Sequence, residues 1–163
     1  MKGSVCVVLI TLLIAGCAMP PVKLQTKFVG AEHDVYREPG TGVINGQGFL
    51  RQKGGGVVTC AGGIVRLSPA TALFREIIGH WVNGRKILFE EKNDPVYNAI
   101  VKASRCDAGG NFTFANLPTG DWYVTTEVYW SVDGRRQGGK LLAKVTTTNG
   151  QSIQVLLTDS VVR

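Results

Sequence analysis

The sequence predicts an all-β protein: a single antiparallel β-sandwich of about seven strands, with a short helical insertion near residues 71–80. Three observations predict it. Short β-branched runs recur between glycines from Gly42 onward, the pattern of strands joined by tight turns. Trp122, Val124, Thr126, Val128 and Trp130 alternate with Tyr123, Thr125, Glu127 and Tyr129, which is the period of a strand covered on one face. Finally, no unit of 20–50 residues repeats along the chain, which disfavours a propeller or a solenoid.

Each element follows from local chemistry. "GVINGQGFLRQ" and "GGGVVTCAGG" carry Val43, Phe49 and Val57–Cys60 between glycines, and read as the first strands. Ile64, Arg66 and Ser68 then alternate with Val65 and Leu67. Residues 70–91 break the rhythm: Leu73, Ile77, Ile78 and Trp81 fall at helical spacing, with Thr71 as a cap and Gly79 near the stop. A strand or loop is expected through Lys86–Phe89. Asn93–Pro95 turns the chain, and Val96 to Arg105 reads as a strand. Phe112 and Phe114 share one strand face. Asn116–Gly120 turns again, Pro118 fixing φ. Asp133–Gly139 reads as a hairpin loop. The last two strands, Leu141–Thr147 and Ser152–Thr158, are expected to pair through Asn149–Gly150, a type I′ signal.

The start of the chain, "MKGSVCVVLITLLIAGC", places the protein. Lys2 and the apolar run Val5–Ala15 fit a signal peptide, and the run is shorter than the roughly 20 residues a membrane span needs. "LIAGC" resembles the bacterial lipobox, which implies cleavage after residue 16 and acyl chains on Cys17. Several such chains hold a protein to a membrane stably, each buried CH₂ contributing about 0.8 kcal/mol. Ala18, where an Asp retains such lipoproteins at the inner membrane, points to the outer membrane facing the periplasm. Residues 17–40 then read as a tether, extended after Pro20–Pro21 and with an edge strand within Lys27–Tyr36, and residues 41–163 as one domain.

Of the four cysteines, Cys6 leaves with the signal and Cys17 is the expected acyl site, so Cys60 and Cys106 remain. Two thiols in an oxidising compartment point to a disulfide; the competing reading is two separately buried thiols. The net charge of +6 is scattered, and no lysine and arginine stripe marks a nucleic-acid face.

"DAGGNFTFANLPTGDWYV" resembles the signature of carboxypeptidase regulatory-like domains, β-sandwiches of the prealbumin-like or Cna-B-like group. The matching positions are Gly110, Phe112, Phe114, Leu117, Pro118, Gly120 and Trp122. The likeness spans about residues 42–158 and is weakest over 70–92, where the family has a shorter link. It implies a sandwich without chemistry of its own, since the zinc peptidase domain that accompanies it elsewhere is absent. The chain also ends "TDSVVR", unlike the purine-pathway hydrolase on the same fold.

The residues agree. His33 and His80 are read as having no neighbouring carboxylate at metal-ligand spacing. Asp107, Asn111, Asp121 and Asp133 sit at turns, where local hydrogen bonding explains them more simply than calcium. No nucleophile elbow, phosphate loop or zinc-protease motif appears. The expectation is a non-enzymatic, lipid-anchored envelope protein without cofactor or metal, acting as a structural or adaptor module toward a protein partner. The alternative is a carbohydrate- or ligand-binding module that uses Tyr123, Tyr129 and the insert residue Trp81.

Overall fold

A computed structural model describes residues 20–158, the side chains of residues 91 and 92 excepted. The expected signal peptide and acylation site, residues 1–16 and Cys17, lie outside the described residues. The body is a sandwich of two four-stranded sheets. Strands β2 (Gly42–Arg51), β3 (Val57–Thr59), β7 (Asn111–Leu117) and β10 (Ser152–Leu157) form the first sheet, and β4 (Ile64–Pro69), β6 (Lys102–Arg105), β8 (Gly120–Val132) and β9 (Arg135–Thr147) the second. Two further short strands, β1 (Val22–Lys23) and β5 (Ile87–Leu88), pair with each other in parallel.

The predicted alternation of β8 is the backbone of the core. Trp122, Val124, Thr126 and Val128 are buried, and they meet Val65 and Leu67 of β4 and Leu141 of β9 within one sheet. Ile44, Phe112, Phe114, Leu117, Val155 and Leu157 answer from the other. Burying each large side chain contributes about 1.5–3 kcal/mol. Gly46 lies opposite Phe112 in the β2–β7 ladder. A Cβ there would come within 2.2 Å of the Phe112 ring, so the glycine leaves the space that the ring occupies.

Polar groups inside this core are satisfied. The Trp122 indole N–H donates to Thr147 Oγ1 at 2.9 Å, and the Thr147 hydroxyl donates to the Pro118 carbonyl at 2.6 Å. The Tyr36 ring stands edge-on to Trp122, centroids 4.9 Å apart. Cys60 and Cys106 form the expected disulfide across 46 residues of chain, closing a loop that runs through β4, the helices and β6.

Four local expectations are corrected. Residues Gly30–Tyr36 form a 3-10 helix instead of an edge strand, and bury His33 and Tyr36. Val96–Arg105 is not one strand. Asp94 accepts a hydrogen bond from the Val96 N–H and Pro95 opens helix α2 (Pro95–Ile100), so that only Lys102–Arg105 is extended; a capping Asp followed by Pro at the first helical position favours exactly this start. The loop expected over Asp133–Gly139 is mostly strand, because Asp133 and Gly134 both adopt positive φ and make a two-residue turn. Asn149–Gly150 does not join a hairpin. It carries the chain from β9 in one sheet to β10 in the other, where β10 runs parallel to β2. Of this pair only Gly150 has positive φ, whereas a type I′ turn needs it at both positions.

Replacing Thr147 with Val keeps the shape and strands the buried Trp122 N–H. The expected loss is about 1–3 kcal/mol of folding stability, read as a lower urea midpoint at unchanged slope.

Candidate functional site

The outer face of the second sheet, left open by a plain sandwich, is roofed here by the insert. Helix α1 runs Ala72–Val82, past the expected stop at Gly79. Asn83 donates its side-chain amide to the Gly79 carbonyl at 2.7 Å, and Gly84 follows at φ +67°, the usual way for a helix to end. Thr71 stands at the helix start, but its hydroxyl does not cap the helix. It pairs with buried His33 Nε2 at 3.1 Å. His33 Nδ1 lies 2.9 Å from the Val29 carbonyl, which can only accept, so the Nδ1–H donates and the Thr71 hydroxyl completes the ring's bonding.

The segment after Pro21 is strapped to this helix. The Gln25 and Thr26 N–H groups donate to the two Glu76 carboxylate oxygens at 2.7 and 2.8 Å, and the Val22 N–H donates to the Lys86 carbonyl. Phe28, His33, Phe74, Tyr97 and Phe89 form one chain of touching rings, with Phe74 and Tyr97 stacked at 5.6 Å. Burial pushes the Tyr97 phenol up from its ordinary pKa. His80 does have a carboxylate neighbour, contrary to the sequence reading: Glu76 lies one turn back at 3.8 Å. Its oxygens are occupied by the strap, and no group of three metal-ligating side chains gathers among the described residues.

Between roof and sheet lies a groove of about 800 Å³. Phe74, Ile77, Ile78 and Trp81 of α1 form one wall, and Ile64, Arg66, Glu127 and Tyr129 of β4 and β8 the floor. Arg85, Lys86 and Ile87 close one side, and Tyr97 and Val101 another. Trp81 and Tyr129, proposed from the sequence, therefore meet in one site. Tyr123 does not line it; it is half-buried on the same sheet face, opposite Ser68 and Lys144. The Arg136 guanidinium lies 3.4 Å from the centre of the Tyr129 ring, and Lys140 Nζ 5.2 Å from that of Trp81. The Lys140 ammonium also donates to the Trp81 carbonyl.

The turn acids have structural partners. Asp107 accepts from the Asn111 backbone and side chain, and those bonds hold its carboxyl below the usual range. Asp121 pairs with Lys144 at 2.7 Å, and Asp133 turns a hairpin. Sequence reasoning missed Arg85, Lys86 and the contribution of α2. The Asp94–Pro95 start signal was the means of finding the latter.

The fold is shared with a Pseudomonas aeruginosa protein provisionally named as carbohydrate binding. Its crystal structure matches at a TM-score of 0.65 and 27% identity, over 82% of this chain and 99% of that one. Two pilins match less well: the minor pilin of Streptococcus agalactiae at TM-score 0.42 and 16% identity, over 75% of this chain and 45% of that one, and the major pilin subunit of Bacillus cereus at 0.43 and 16%, over 74% and 30%. Neither pilin likeness bears on what this chain does. No family model matches the chain, and no curated protein matches it. No helix among the described residues is long and apolar enough to cross a membrane.

The Glu76 strap carries a pH signature. Backbone N–H donation from Gln25 is the largest cause holding the Glu76 pKa below its ordinary 4.5. A depressed folded-state pKa contributes stability that is complete above the unfolded value and is lost as pH falls through the folded one. Protection of residues 22–36 against limited proteolysis should therefore fall as pH drops below about 4.5. In Glu76→Gln it should be weaker at neutral pH and flat across that window.

Proposed function

We propose that the protein is a non-enzymatic carbohydrate-binding module of the cell envelope, anchored by lipid on Cys17, and that the groove between α1 and the second sheet receives the sugar. The observation that carries this is the meeting of Trp81, from the insert, with Tyr129, from β8, in one concave site. Binding sites are typically apolar and aromatic clefts with a few polar groups that set orientation. A flat ring offers the C–H face of a pyranose an apolar surface, while Arg66, Ser68, Thr125 and Glu127 supply hydrogen-bonding groups nearby. The likeness to the provisionally named carbohydrate-binding protein supports the same reading. A concave, aromatic-lined site suits a small or linear ligand better than the broad protein partner of the adaptor role, so the groove favours the binding role.

Trp81→Ala and Tyr129→Ala should each weaken binding of an array-selected glycan about tenfold, or about 1.4 kcal/mol by calorimetry. Tyr123→Ala, outside the groove, should change it by less than about twofold, a difference of under about 0.5 kcal/mol. Binding unaffected by both groove substitutions defeats the assignment. The anchor is tested separately: an alkyne fatty acid fed to cells should label the wild type and leave Cys17→Ser unlabelled.

A further inference from the structure

The groove has a pronounced charge asymmetry. Arg66, Arg85 and Lys86 line it, against one carboxylate, Glu127, among the described lining residues. Arg136 and Lys140 add two more cations, seated against the Tyr129 and Trp81 rings. The cation–carboxylate contacts within 4.0 Å among the described residues are Arg37–Asp34, Lys144–Asp121 and, when the histidine is protonated, His80–Glu76; none involves these five cations, although Glu127 faces Lys140 across the β8–β9 ladder. A cleft with apolar walls concentrates the field of such charges and draws counter-ions into it.

Resting on the carbohydrate reading above, we propose that the ligand is an acidic oligosaccharide, bearing carboxylate or sulfate groups along its length. The distribution of the cations selects this class. They come from three places: Arg66 on β4, Arg85–Lys86 after α1, and Arg136 and Lys140 on β9. A linear chain with repeated charges can meet several of them while its sugar rings stack on Trp81 and Tyr129. An amphiphile with a single headgroup would meet one and leave the others uncompensated. Arg136 and Lys140 then have two roles, since each polarises the aromatic ring it covers and stands ready for an acid group on a sugar stacked at that ring.

The test compares oligogalacturonates with their methyl esters, within an array of carboxylated, sulfated and neutral glycans, by calorimetry at low and high salt. Acidic members should bind at least about tenfold tighter than their neutral counterparts at low salt, and the advantage should shrink as salt rises. Arg85→Ala combined with Lys86→Ala, both exposed positions, should weaken binding of acidic members severalfold more than that of neutral ones and reduce its salt dependence, with the unfolding midpoint unchanged. Equal binding of acidic and neutral members overturns the charge proposal and leaves the carbohydrate groove standing. No binding of either kind, or binding indifferent to Trp81→Ala, overturns both. Tighter binding of dodecyl phosphate or oligothymidylate than of any glycan overturns the ligand class.

Discussion

The two-faced geometry of β8 is the constraint on which the rest depends. Its thirteen residues present Trp122, Val124, Thr126 and Val128 to the sandwich interior, and Thr125, Glu127 and Tyr129 to the groove. Because side chains alternate strictly, these two sets cannot be shifted independently; a slip of one residue would send the aromatic core outward and the groove floor inward. The register is pinned at one end by the Trp122–Thr147–Pro118 hydrogen bonds and at the other by the Asp133–Gly134 turn. Core packing thus places Tyr129 with the accuracy of the sandwich itself.

The roof is held by a different kind of interaction. Helix α1 is too short to be stable alone, and its apolar face is completed by a ring cluster that draws on the segment before the sandwich. Glu76 grips the backbone of that segment, His33 bridges it to Thr71, and β1 pairs with β5. The stretch read as a tether is thus, from Val22 to Tyr36, packed against the insert. Helices, strap and sheet together frame the groove with packed and hydrogen-bonded elements, the arrangement that holds rings and charges in set positions.

Much of this was legible in the residues. Period-two alternation revealed β8 and β4, and helical spacing revealed α1. The oxidising compartment implied by the chain start made the Cys60–Cys106 bridge a reasonable expectation. What escaped was long-range. Asn149–Gly150 has the local chemistry of a hairpin, yet β10 gains more by entering the other sheet beside β2, where Val155 and Leu157 are buried. Val96–Ile100 has β-branched residues that suggest a strand, but Asp94 and Pro95 settle the local choice for a helix. The groove itself depends on the insert folding back over the sheet, and no periodicity encodes where an insert lands. Trp81 and Tyr129 were individually visible as candidates, but their meeting was not.

The disulfide has a consequence for the occupied site. The loop it closes includes Ile64, Arg66, the whole of α1, Arg85, Lys86 and Tyr97, which is every wall of the groove except the β8 floor. Bridging restricts the unfolded freedom of that loop, and a bound molecule stabilises its folded arrangement against β8. Where reduction lets that loop open, the two effects act on one equilibrium and are reciprocal: a filled groove would make the sulfurs harder to reduce, and loss of the bond would loosen the grip on what the groove holds.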